Sequence, residues 1–126
     1  MLLIYNGQEA GITARIPFSF TAVKLQWAVH SELTTAYRML MAIRAVSPAL
    51  RHSTPTSYNS ANMCAFTKTV GTDQAFVLAN LCNTETTYTL PPTLTNTSWT
   101  NTIIGNPVFL GTQLTFQSYG YAVLRK

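Results

Sequence analysis

From residue 63 to the C-terminus the chain is a succession of short β-type runs with no helical period between them, and this more than anything else limits what it can fold into. The runs lie at 63–69, 74–82, 86–90, 98–104, 107–110, 113–117 and 120–125. Gly71-Thr72-Asp73, Pro91-Pro92, Gly105-Asn106, Gly111-Thr112 and Tyr119-Gly120 punctuate them. Parallel strands need long crossovers, usually helical, so strands joined this closely predict an antiparallel sandwich or barrel. If 63–69 and 74–82 form a hairpin across a two-residue turn within Gly71 to Asp73, Cys64 faces residue 79 or 81. Cys82 then points to the opposite face, and the two thiols stay unpaired.

The first part of the chain follows a different pattern. Leu2 to Tyr5 is a continuous apolar run stopped by Asn6-Gly7, as expected of a strand buried on both faces. Residues 11–30, with Gly11, Pro17, Phe18, Phe20 and Trp27 in no sustained period, read as a long folded loop. Ser31 is placed to cap a helix over 32–46, in which Leu33, Ala36, Tyr37, Leu40, Met41 and Ile43 recur on one stripe. Ser47-Pro48 ends it, because proline disfavours helical backbone in the residue before it. Residues 51–62 are rich in Ser, Thr and Asn and form the natural boundary.

Composition excludes several function classes. With 47% hydrophobic and 10% charged residues the chain is not disordered. The net charge of +4 comes from eight scattered cations, so no cationic footprint for nucleic acid exists. No run approaches the ~20 apolar residues of a membrane-spanning helix. Two cysteines give no disulfide framework and show no metal-ligand spacing with His30 or His52. No metal or cofactor is expected.

A lone parallel-type strand and helix cannot bury their faces, and at this point the residues become specific. Leu3-Ile4-Tyr5-Asn6-Gly7-Gln8-Glu9-Ala10-Gly11 resembles the segment P-L-I-Y-x-G-Q-E-x-G of glycoside hydrolase family 13, the α-amylase family. Residues 37–50 are similar to that family's pattern Y-R-x-L-I-x-L-R-x-x-x-P-A-L. The run 75–83 is like its x-x-V-x-x-N-x-x-N strand, and 118–124 is like its closing P-x-x-x-x-V-L strand, with Ser118 where proline is common. Leu2 stands where the family has proline, and the glycine two residues earlier would precede Met1.

The resemblance implies an α+β fragment: residues 1–51 as the last βα unit of a (β/α)8 TIM barrel, and 52–126 as the all-β antiparallel sandwich called domain C. It implies a parent enzyme acting on α-glucosidic bonds of starch-type glucans. The catalytic carboxylates of the family lie on earlier strands, so this chain carries none and is expected to be inactive alone. Glu9, at the strand's C-terminal mouth, either faces substrate or binds backbone N–H groups of its loop. Trp27, in the loop beside the mouth, is the second candidate substrate-binding residue. Trp99, Tyr58 and Tyr119 have faces suited to sugar rings, although Trp99 reads as core. Arg44 lies within the apolar stripe near the helix end and needs backbone carbonyls there or in the sandwich, a structural role. Strand 2–5, without barrel neighbours, would present two open edges for self-association. Asn96-Thr97-Ser98 also fits the glycosylation triplet. The competing reading is a free-standing β-sandwich that binds glucan or a protein partner without catalysis.

Overall fold

A computed structural model of the chain describes residues 7–12 and 30–126. The expected strand at 2–5 and most of the loop at 11–30 lie outside the described residues. The chain divides into two compact units, Met1–Ala42 and Ile43–Lys126.

In the first unit a 3-10 turn, Gln8–Ala10, is flanked by Gly7 and Gly11, both left-handed, with φ of 91° and 67°. Glycine suits this backbone because it has no Cβ to oppose positive φ. At Gly11 a Cβ would meet His30 Cδ2 at 2.7 Å and Leu33 Cδ1 at 2.8 Å. Helix α1, Ser31–Val46, runs on from there across the division between the units. Ser31 lies inside the first turn rather than at the cap expected from its hydroxyl. The Leu33 and Thr34 amides donate to the His30 carbonyl, and the Ser31 carbonyl accepts from Thr35 Oγ1. No residue of α1 is buried, although its stripe is apolar.

In the second unit a short helix, α2, Pro48–His52, follows the end of α1 and reaches into the boundary stretch read at 51–62. The Ser47-Pro48 pair that ends α1 also starts α2. Ser47 caps it by accepting the Leu50 amide, and proline fits the first helical turn because the amide it lacks would have had no partner there.

Eight strands follow: β1 Thr56–Ser57, β2 Met63–Val70, β3 Asp73–Asn80, β4 Thr86–Thr89, β5 Thr97–Asn101, β6 Pro107–Leu110, β7 Gln113–Phe116 and β8 Tyr121–Arg125. All their pairings are antiparallel. Six form one sheet in the order β1-β2-β3-β8-β5-β6, and β4 pairs with β7 in a second. The β2–β3 hairpin turns through Gly71, at φ 57°, and Thr72, so Cys64 pairs with Ala79 as a two-residue turn requires. Both cysteines are free thiols. Strand β1 is an addition to the runs read from the sequence.

Alternation along the strands sends Met63, Ala65, Phe76, Leu78, Trp99, Ala122 and Leu124 to one face of the larger sheet. They form one buried cluster with Leu110 and with Tyr88 of β4, and Leu114 and Phe116 of β7 pack against it. The two sheets thus share a core. Helix α2 packs on β2 and β3 and contributes nothing to that cluster, so it sits on the other face, where Ala75 is fully buried.

Candidate functional site

Each carboxylate of the described residues has a distinct setting. Glu9 projects from the 3-10 turn, with its carbonyl accepting Thr34 Oγ1 at 2.9 Å. Its Oε2 is buried and has no hydrogen-bond partner among the described residues. Leaving it unpaired is costly in the absence of a donor. Glu32 sits exposed at the start of α1, 2.9 Å from His30 Nδ1. Its own backbone amide first, and His30 second, hold its carboxyl below the usual range. Glu85 is exposed and accepts from Gln117 Nε2. No carboxylate is bonded to another among the described residues.

Asp73 is the most heavily engaged. Its Oδ2 accepts from Ser47 Oγ at 2.6 Å and from the Ala49 amide at 2.8 Å. Its Oδ1 accepts from Arg125 Nε at 3.1 Å and from Nη2 of the same guanidinium. Burial opposes its ionisation, yet the bonds from Ser47, Arg125 and the Ala49 amide outweigh that and hold the carboxyl below its ordinary value. The sequence marked Asp73 only as a turn residue. Its partners lie 26 and 52 residues away, which no local pattern encodes.

Arg44 is half-buried and donates from Nη1 to the Leu50 carbonyl at 3.0 Å, and Lys68 Nζ reaches the same oxygen at 2.8 Å. Cations at the C-terminal end of α2 and a carboxylate at its N-terminal end both suit the direction of its dipole.

Of the aromatic residues with faces suited to sugar, Trp27 lies outside the described residues. Trp99 is core: 3% exposed, 6.0 Å from the Phe76 ring centroid, with Nε1 donating to Thr97 Oγ1 and Lys126 Nζ 4.5 Å from its own ring centroid. Tyr58 packs partly buried against the core, and its carbonyl accepts from Tyr88 Oη at 2.6 Å. Tyr119 is 64% exposed and holds a left-handed φ of 53°. No cluster of His, Cys, Asp and Glu able to hold a metal occurs among the described residues.

Asn80, the asparagine of the x-x-V-x-x-N run, is 3% exposed and organises a junction of loops. Its Nδ2 donates to the Thr84 carbonyl at 2.8 Å and the Gln117 carbonyl at 2.9 Å, while its Oδ1 accepts the Cys82 amide at 3.0 Å. That gives the motif letter a physical meaning.

No protein-family model and no curated protein matches the chain. Solved structures do. AmyP, in complex with maltose, aligns with a TM-score of 0.69 at 15% identity, over 78% of this chain and 21% of its own. An Anoxybacillus α-amylase aligns at 0.66 and 17% identity, over 75% and 22%. The trehalulose synthase MutB from Pseudomonas mesoacidophila MX-45 aligns at 0.62 and 20% identity, over 74% and 17%. The chain therefore spans about a fifth of the length of the structures it matches. Its mostly antiparallel sheet with short helices is a fold that α-amylase-family glycoside hydrolases contain, the same family its sequence motifs resemble.

Proposed function

We propose that this chain is the C-terminal part of an α-amylase-like enzyme that acts on α-glucosidic bonds of starch-type glucans, and that it serves structurally rather than catalytically. In this reading residues 1–51 are the last βα unit of a (β/α)8 barrel and 52–126 are its sandwich, domain C. The observation that carries it is the fold match, which takes in three quarters of this chain and only about a fifth of each enzyme. The uncovered stripe of α1 supports it. Leu33 is 38% exposed, Leu40 37% and Met41 46%, as on a helix face that barrel neighbours would cover.

Glu9 and Trp27 would lie on the substrate side of such a barrel. The unpaired Oε2 of Glu9 suits a carboxylate whose donor comes from substrate or from another barrel strand. Arg44 would tie the barrel helix to the segment that leads into the sandwich, through the Leu50 carbonyl. Strand 2–5, without its two neighbours, would associate with a second copy through its open edges.

Hydrolysis of a glycosidic bond with retention needs two carboxyls about 5 Å apart flanking it. Glu32, Asp73 and Glu85 are committed to His30, to Ser47 and Arg125, and to Gln117. The purified 126-residue chain should release no reducing sugar from soluble starch. Turnover by the chain that disappears in Glu9→Gln would overturn the proposal and make Glu9 catalytic.

A further inference from the structure

We propose that Asp73 is an acid-labile pin, a single carboxyl whose protonation frees residues 47–53 from the larger sheet while the sheet itself stays folded. The argument begins with what holds α2. Its N-terminal end is fixed by Asp73 Oδ2, which takes both the hydroxyl of the Ser47 cap and the Ala49 amide. Ser47 and Ala49 are each fully buried, so the donors have no water to turn to if the carboxylate is lost. The far end is fixed by Arg44 and Lys68 on the Leu50 carbonyl, a tie in which no carboxyl takes part.

Among the described residues Asp73 is therefore the one carboxyl that ties this segment down. The charged group in contact with it is Arg125, from β8. On α2 itself Arg51 and His52 lie in the last turn, and Lys126 is directed to the Trp99 ring. Protonation converts one oxygen from acceptor to donor and discharges the pair with Arg125, so several bonds weaken in one step.

The consequence stays local because of where the core lies. The buried cluster of Met63, Phe76, Leu78 and Leu124 includes no residue of α2, so lifting α2 leaves it intact. What is uncovered is the opposite face of β2 and β3 around Ala75. Such sub-global opening is an ordinary property of segments held by few apolar contacts.

The sign follows from linkage. The pinned carboxyl ionises below the ordinary aspartate value of 3.8 that it takes once released. The closed form is fully favoured above that value. It loses its advantage as pH falls through the lowered one, by up to about tenfold in the opening constant per pH unit.

Amide hydrogen exchange on the full chain between pH 7 and 3, corrected for intrinsic rates, tests this. The Leu50, Arg51 and Ser53 amides, bonded to Ser47 Oγ, Ser47 O and Ala49 O, are the reporters. They should lose protection below about pH 4, while those of Phe76 and Leu78 keep theirs. In Asp73→Asn the reporters should exchange fast already at pH 7, with no acid step. If that variant does not fold, Arg125→Gln, which removes one partner, should lower reporter protection at pH 7 and shrink the acid step. Reporter protection that stays level to pH 3, or that falls together with the Phe76 and Leu78 amides, would refute the pin.

Discussion

Asn80→Asp is expected to lower the stability of the second unit by about 3 kcal/mol at pH 7, because it places an unpaired anion among buried carbonyls. The substitution changes almost no volume. Aspartate keeps the oxygen that accepts the Cys82 amide, but the group facing the Thr84 and Gln117 carbonyls turns from donor to acceptor. Two carbonyls lose their donor, and a charge sits where 3% of the residue meets solvent. On a domain of this size the melting temperature should fall by roughly 15 °C. The loss should shrink toward acid pH, since a protonated carboxyl recovers one donor. Urea unfolding at pH 7 and pH 4 measures both, and a change below about 1 kcal/mol at pH 7 would mean that the three bonds carry no net stability.

Phe76→Ala should cost still more. Phe76 is fully buried at the centre of the cluster, and its ring lies 6.0 Å from that of Trp99 at 51°. Truncating a buried phenylalanine costs about 3–5 kcal/mol through lost transfer energy and the cavity left behind. The lost aromatic pair adds about 1 kcal/mol. That approaches the whole stability of a small domain, so much of the variant should be unfolded at 37 °C. Phe109→Ala, at a residue 65% exposed on edge strand β6, should shift stability by less than about 0.5 kcal/mol. Thermal unfolding followed by circular dichroism separates the two, and similar midpoints for both variants would place the core elsewhere.

Particular residues show why the fold was more legible in the sequence than the site. Strands β2 to β8 and helix α1 announce themselves through side-chain period and turn chemistry, which act over a few neighbouring residues. The register of β2 on β3 follows from one short turn, hence the pairing of Cys64 with Ala79. Helix α2 escaped because Ser47-Pro48 carries two messages, a stop for one helix and a cap for the next. Read in the forward direction, a cap serine followed by proline is itself a start signal.

The polar connections were not legible, since hydrogen bonds between distant segments leave no period behind. Nothing near Asp73 announces Arg125, and the asparagine at 80 stood out only as a letter shared with a family strand. Glu9 was marked by the same kind of resemblance, and the structure adds a buried oxygen without a partner among the described residues. Among the aromatic faces, the sequence already favoured core for Trp99 and left Tyr58 and Tyr119 open. Burial then assigned Trp99 and Tyr58 to the core and left Tyr119 on the surface.

The central claim, that this chain is one end of a larger glucan-active enzyme, is tested most directly by reading the coding sequence upstream of Met1. The account predicts an open frame continuing upstream, since the matched enzymes are about five times longer than the aligned segment. That frame should contain the earlier strands of a barrel, with three catalytic carboxylates at their C-terminal ends. An in-frame stop directly before Met1, with the 126-residue chain accumulating in cells as a folded product, would contradict it.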